Sequence, residues 1–278
     1  MSDDRTDIVE RWWRTAIADV SADTIRVRGY AIEDLLGRVS LGEMILLAIR
    51  GELPTCSEAR LLEAAMLGAV VHGPHAPSIA IARMAITCGM GMNHAIAQGA
   101  SALGDTHGGA VEQAMELLEQ LAALPDDVGA IAAGLERWID RRGPFVPGFG
   151  HRLHREADPR TRRLLALAEH AREEEVISGR YVALLRLLEA ALARRKGKAI
   201  PMNLDAAAGA IFVELGLSPP VGRGLIVVAR SIGVLAHAWE EIGQGGRLKG
   251  PVPRGTAFEY TGPAPRALPE TMRPDGTD

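Results

Sequence analysis

The chain has 278 residues, 47% hydrophobic and 24% charged, which is enough to bury a large core in one or two domains and excludes a disordered or fibrous protein. Its net charge of −4 leaves Lys and Arg spread along the chain without a basic stripe, so no nucleic-acid partner is expected. Aromatic residues are only 4%, so the core must be aliphatic, and the two isolated cysteines, Cys56 and Cys88, are expected as buried free thiols.

The N-terminus (MSDDRTDIVERWW) is acidic and lacks the apolar region of a secretory signal. The most apolar window, residues 224–239, is interrupted by Arg230 and His237 and falls short of the roughly 18 apolar residues of a membrane span. A cytoplasmic protein with no membrane segment is the expectation. Residues 8–21 make a first short segment, and TIRVRGYAIEDLLG holds a brief extended piece before a turn at Gly29. Ser40 then opens a helix with Glu43 three residues on and Gly-Glu-Leu-Pro as its stop. Another starts near Ser57, is apolar at Leu61, Ala64 and Ala65, and ends near His72-Gly73-Pro74. Residues 77–104 are almost unbroken small apolar sequence, suited to buried helices that approach closely.

Further helical periods cover residues 110–124, stopped by Pro125-Asp126-Asp127, then 128–142, 160–175 and 181–195. A loop at 197–203 precedes a helix over about 205–215, and Pro219-Pro220 opens a long helix to about Ile242. The tail from Gly243 is rich in Gly and Pro, and residues 266–278 are expected to be disordered. No alternating strand pattern exceeds about five residues and no repeat is present, so the fold class is all-α.

The chemistry concentrates at turns that lead into helices, where side chains and unpaired N–H groups can be aimed at one cleft. His107 lies in GDTHGGA, His151 in PGFGHR and Asp205 in MNLDAAAG. Each has a plainer alternative on local evidence: an N-cap for Asp205, a packing residue for a His beside Gly-Gly. His151 and His154 could share a helical face, but no third and fourth ligand follows at a metal-site spacing, so no metal is expected. Arg230, mid-helix in an apolar run, would be costly to bury without an anionic partner; the alternative is an Arg reaching to the surface.

Three segments, GDTHGGAVEQAME, PGFGHRLHREADPRTRR and MNLDAAAGAIFVELGL, resemble in order the active-site segments of the citrate synthase superfamily. RVRGYAIEDLL, AIRGELPT, LIVVARSIGVLAHAWE and EYTGP extend the resemblance over about residues 25–263. Around His72 the run HGPHAPS replaces the His-Glu-x-Asn-Ala-Ser-Thr of citrate synthases. It looks more like citryl-CoA lyases and the lyase module of ATP-citrate lyase, as does the short chain.

The resemblance implies a two-lobed helical fold, with residues 1–107 and 205–265 in a large lobe and 108–204 in a small one. It implies catalysis by His107 at the thioester oxygen, His151 at the keto or hydroxyl oxygen, and Asp205 at the acetyl carbon. Arg160 and Arg230 would hold substrate carboxylates, with His72 as a further contact. The turn Pro147-Gly148-Phe149-Gly150 would lie against coenzyme A, where small residues let backbone approach. The implied partners are small molecules, a CoA thioester substrate and oxaloacetate or a citryl group, with no tightly bound cofactor, in a homodimer. The family carries a further Arg before a Pro in its tail; here Gly250 precedes Pro251, with Arg247, Lys249 and Arg254 nearby. Three readings stand: a citryl-CoA lyase, a citrate or methylcitrate synthase that adds thioester hydrolysis, and a non-catalytic acyl-CoA-binding paralogue. Keeping His107, His151 and Asp205 together disfavours the last.

Overall fold

The computed structural model describes residues 11–150, 158–253 and 255–269. It begins with an antiparallel meander of β1 (Ala18–Ser21), β2 (Thr24–Val27) and β3 (Tyr30–Ala31), in that order. Arg28 and Gly29, at φ 51° and 88°, form the two-residue link between β2 and β3, under the Val27–Tyr30 pair. Positive φ at both positions matches the twist of the flanking strands. The single extended piece expected here is therefore three short strands. The Arg28 side chain ties them to the helical body by donating from Nη2 to the Ala48 carbonyl at 2.8 Å.

Every other regular element among the described residues is a helix: α1 (Ile32–Leu35), α2 (Leu41–Arg50), α3 (Cys56–Leu67), α4 (Pro77–Thr87), α5 (Met92–Ser101), α6 (Ala110–Ala122), α7 (Val128–Arg142), α8 (Pro159–Glu173), α9 (Arg180–Lys196), α10 (Leu204–Glu214) and α11 (Pro219–Gln244). The all-α expectation holds. Ser40 and Glu43 form the capping box that opens α2, with Glu43 Oε2 accepting from Ser40 N at 2.6 Å. A second box, Thr55 with Glu58, caps α3 two residues earlier than Ser57 suggested. The helix also stops at Leu67, short of His72-Gly73-Pro74. Both cysteines are exposed, not buried as expected. Cys56 is the first residue of α3 with Sγ 3.2 Å from Glu43 Oε1, and Cys88 ends α4; helix-end positions stand off the stripe that faces the core.

Helix α10 is the centre of the molecule. Ala206, Ala207, Ala208, Ala210, Ile211 and Phe212 are fully buried, as befits a helix that is apolar all round. On one side it meets α3, α6, α8 and α11 around Leu62, Met115 and Phe212. On the other it joins α6, α7 and α9 around Leu118, Trp138 and Leu188. A third cluster, Ile79, Ala82, Ala95, Val234 and Ala238, seals α4 and α5 against α11. By length and composition α11 could cross a bilayer, contrary to what its interruptions suggested, yet 44% of its apolar window is buried against other helices. Residues 255–269 are exposed and have no regular secondary structure. The disorder expected from residue 266 mostly concerns residues 270–278, outside the described residues.

Candidate active site

Residues 68–78, between α3 and the first turn of α4, form a rail on which the candidate site is assembled. At its start Arg160 Nη1 donates to the Gly68 carbonyl at 3.1 Å and Arg230 Nε to the Ala69 carbonyl at 2.8 Å. Both oxygens lie at the C-terminal end of α3, where the helix dipole favours cations. At its other end the Ser78 N–H donates to His107 Nε2 at 3.3 Å, with Ser78 Oγ at 3.0 Å. His72 lies between them and is exposed.

Arg160 comes from the first turn of α8, aimed by the Asp158-Pro159-Arg160 sequence. Asp158 is the N-cap, a preferred residue ahead of Pro at the first helical position. Its carboxylate grips Arg160 at both oxygens, Oδ1–Nε 3.0 Å and Oδ2–Nη2 2.7 Å, and is buried. Arg230 is only 8% exposed, so it does not reach to the surface. Its helix can lie this close to the rail because Gly233 is a glycine: a Cβ there would sit 2.0 Å from the Val70 carbonyl oxygen.

Asp205 is half-buried in the first turn of α10. It is not the N-cap. Asn203 caps the helix, its side-chain oxygen accepting from Asp205 N at 3.0 Å, which leaves the Asp205 carboxylate for other work. Burial pushes the Asp205 pKa up, opposed by the charges of Arg160 and Arg230 and reinforced by Asp158. Conversely, burial lowers the pKa of Arg230, while Asp205 acts to raise it. The two arginines and Asp205 therefore share one electrostatic environment although they come from three helices.

His107 needs a particular tautomer. A backbone N–H can only donate, so Nε2 facing Ser78 N must be the unprotonated nitrogen and the neutral ring carries its proton on Nδ1. The Ser78 N–H belongs to the first turn of α4, so the positive end of a helix dipole also faces this nitrogen.

The 147–150 turn is stitched to the segment that enters α10. Gly150 N donates to Pro201 O at 2.8 Å, Asn203 N to Gly148 O at 2.9 Å, and Asn203 Nδ2 to Gly150 O at 2.8 Å. Phe149 pairs with Met202 as an antiparallel bridge. Gly148 has φ +83°, and a Cβ there would fall 2.8 Å from the Ala206 backbone N, so only glycine allows the turn to touch α10. Asn203 thus links the expected CoA turn, Pro147 to Gly150, to Asp205 through one side chain. His151 and His154 follow that turn and lie outside the described residues.

The structure accordingly brings Arg160, Arg230, Asp205 and the His107–Ser78 pair onto one rail and its flanking helices. Sequence reasoning missed Ser78 and Asn203. A signal for Asn203 was present, since Asn is a favoured cap two residues ahead of the first helical turn's Asp. None existed for Ser78, whose role depends on where the His107 loop folds. Surface clefts of about 400 and 500 Å³ open beside Arg223 and Arg186, and neither is lined by Asp205, His107 or Arg230.

Fold and site together define an all-α protein that sets two arginines at the end of one helix, electrostatically coupled to the half-buried carboxylate of Asp205. The chain belongs to the citrate synthase family: residues 57–251 match the model of the citrate synthase C-terminal domain. A solved structure of citryl-CoA lyase from Hydrogenobacter thermophilus superposes with a TM-score of 0.83 at 32% identity, covering 93% of this chain and 98% of that one. The fold is also that of ATP citrate lyase from Methanothrix soehngenii in complex with citrate and coenzyme A, with a TM-score of 0.75 at 21% identity over 94% of this chain and 44% of that one. Among curated proteins, a citrate synthase of Deinococcus radiodurans is 29% identical over 218 residues, 78% of this chain and 55% of its own length. The chain thus spans about half the length of the curated relatives it matches.

Proposed function

We propose that this protein is a citryl-CoA lyase-like enzyme that cleaves citryl-CoA, or a close 3-hydroxy-acyl-CoA, to acetyl-CoA and oxaloacetate or a related keto acid. The observation that carries the reading is the meeting of Arg160 and Arg230 at the Gly68–Ala69 carbonyls, in the electrostatic environment of Asp205. Two guanidiniums beside one carboxyl suit a substrate with two free carboxylates, which they neutralise and orient. Similarity to a citryl-CoA lyase over nearly the full length of both chains supports the cleavage direction.

In this scheme the tertiary hydroxyl loses its proton to His151, a role that rests on the sequence resemblance. The carbon–carbon bond then breaks, its electron pair passing to the thioester as an enolate while the hydroxyl carbon becomes a ketone. His107 Nδ1–H donates to the enolate oxygen, and Asp205, in its protonated form, delivers a proton to carbon to give the acetyl methyl group. Each positioned proton transfer contributes ~10²–10⁴-fold and an oxyanion donor about 3–4 kcal/mol. The 147–150 turn would lie along coenzyme A and His72 would touch the substrate, which acts with no tightly bound cofactor. His107 and Asp205 stand at the crossings between the lobes of residues 1–107 with 205–265 and of residues 108–204, so closure of the lobes would exclude water. A homodimer is part of the reading, supported by the exposed stripe Val228, Ile232, Leu235, Trp239 and Ile242 along α11.

The second reading is a citrate or methylcitrate synthase, favoured by curated relatives that bear that name. Product analysis with synthetic citryl-CoA separates them. Acetyl-CoA and oxaloacetate, lost in Asp205→Asn, support the lyase; citrate and free CoA mean a hydrolysing synthase; no turnover points to another acyl-CoA or to a non-catalytic paralogue.

A further inference from the structure

His107 is carried on the short loop between α5 and α6, which is closed by one backbone bond, Gly104 N to His107 O at 2.9 Å. Ser78 holds the imidazole end of that loop, as described above. The outer rim is held separately. Asp105, two residues before His107, accepts from Arg223 Nη2 at 2.5 Å through Oδ1, and its carbonyl accepts from Gln113 Nε2 at 3.1 Å. The same guanidinium contacts Glu112 in the first turn of α6 through Nε, and the Glu112 side chain is only 16% exposed. Arg223 therefore bridges the two sides of the His107 loop, its approach and its exit into α6.

Arg223 sits in the first turns of α11, and Arg230 lies about two turns further along the same helix. One rigid element thus fixes the His107 loop at one point and reaches the Ala69 carbonyl at the next. We propose that Arg223 is a positioning residue for His107, setting the place of the imidazole relative to the substrate-carboxylate contact at Arg230. This deepens the function proposed above and rests on it.

A mere surface ion pair would look different. Asp105 is 80% exposed, so its pair with Arg223 contributes little to stability, ~0–1 kcal/mol for exposed pairs in general. Positioning, by contrast, is felt in the transition state, where a misplacement of about 1 Å can cost ~10²-fold. The Asp105 contact should therefore appear in kcat and in the state of the His107 ring, with any thermal cost confined to the Glu112 contact.

The test uses the full chain with Arg223→Gln, Arg223→Lys and Asp105→Asn, reading ¹⁵N imidazole resonances, thermal unfolding, and kcat and KM for citryl-CoA. His107 resonances are assigned by their loss in His107→Gln. The expected result for Arg223→Gln is a shifted or broadened His107 Nε2 resonance and a fall in kcat of about tenfold with KM nearly unchanged. Its melting temperature should be lowered, because the largely buried Glu112 loses its partner; Asp105→Asn leaves the Glu112 contact in place and should keep its melting temperature. Arg223→Lys should recover part of kcat, and Asp105→Asn should reproduce the milder half of the effect. Unaltered His107 resonances with unaltered kcat in Arg223→Gln would overturn the proposal, as would losses of activity that merely follow the melting temperature in all three variants. If the wild-type protein does not turn over citryl-CoA, the functional reading fails by itself. The imidazole resonances then decide the positioning role alone, shifted in Arg223→Gln if it is right and unchanged if it is wrong.

Discussion

Arg160 and Arg230 donate to the carbonyls of adjacent residues, Gly68 and Ala69, at the end of α3. Two like charges are brought together there because the helix C-terminus supplies partial negative charge, and because Asp158 and Asp205 supply two carboxylates. The arrangement leaves guanidinium capacity beyond the single carbonyl that each arginine takes from the rail, since each carries five N–H donors.

Arg230→Gln should therefore weaken substrate binding more than it harms folding. Loss of one charge-assisted contact is worth ~1.5–3 kcal/mol, so KM for the citryl substrate should rise by about 10- to 10²-fold. The shorter amide would leave the Ala69 carbonyl poorly satisfied, for a stability loss of about 1–3 kcal/mol. Steady-state kinetics beside urea unfolding separates the two; an unchanged KM removes Arg230 from the substrate site.

Burial raises the pKa of Asp205 over the opposing charges of Arg160 and Arg230. In the cleavage direction the group must start protonated, so kcat/KM should fall on the alkaline side as Asp205 ionises, at a pH above the ordinary Asp value. In the condensation direction the same ionisation gives the acid limb. Arg230→Gln should move both limbs to higher pH. A raised folded-state pKa also means that the folded protein binds the proton more tightly than the unfolded chain does. Asp205 therefore costs stability once the pH exceeds its unfolded pKa, and that cost is complete above its folded pKa. Asp205→Asn should melt higher than wild type at neutral pH, with the gain vanishing in acid, while losing activity by ~10²–10⁴-fold.

Gly148 and Gly150 share positive φ, +83° and +82°, but differ in surroundings. A methyl group at 148 meets the backbone of Ala206, whereas one at 150 meets nothing within 4 Å. Gly150→Ala should cost about 1–2 kcal/mol, the penalty of a left-handed conformation alone. Gly148→Ala should cost distinctly more and displace the entry to α10. Chemical unfolding of the two variants measures the difference; equal losses would show that the turn relaxes away from α10.

Glu241 is buried on α11 and binds Arg83 Nε at 2.6 Å and Lys249 Nζ at 2.9 Å. Burial alone would push its pKa up, but the bonds from Lys249 and Arg83 outweigh it and hold the carboxyl below its ordinary value. Lys249 N also donates to Thr87 Oγ1 at 3.0 Å, so the start of the tail is fastened to the end of α4. This engagement argues against Lys249 as the stand-in for the family's tail Arg. Lys249→Met should lower stability by about 1 kcal/mol, since the lysine is half exposed, and leave KM unchanged. Glu241→Gln, which leaves Arg83 short of its buried partner, should cost about 3 kcal/mol. Thermal melts and KM values for both variants check this, and a raised KM in Lys249→Met would return that residue to the site.

Much of this was legible in local sequence. The capping box at Ser40, the stop at Pro125-Asp126-Asp127 and the proline pair at 219 and 220 each act within a turn or so of themselves, so the chain order of the helices follows from neighbouring residues alone. The sequence pattern begins helix α8 at Arg160, and the structure adds the Asp158 N-cap and Pro159 ahead of it. The cysteines show the opposite case. Their helical setting implied burial, but a residue's depth at a helix end depends on the angle at which the helix meets its neighbours.

By itself the sequence determined the helical class, the element order and which residue types could carry acid/base chemistry, because propensity, capping and apolar period are local forces. Only the tertiary structure decided that Ser78 sets the tautomer of His107, and that Arg160 and Arg230 meet at adjacent carbonyls. Those relations join residues far apart in the chain. Close packing of the kind seen at Gly233, where the α11 backbone approaches the Val70 carbonyl, decides which surfaces meet, and no periodicity in the sequence encodes it.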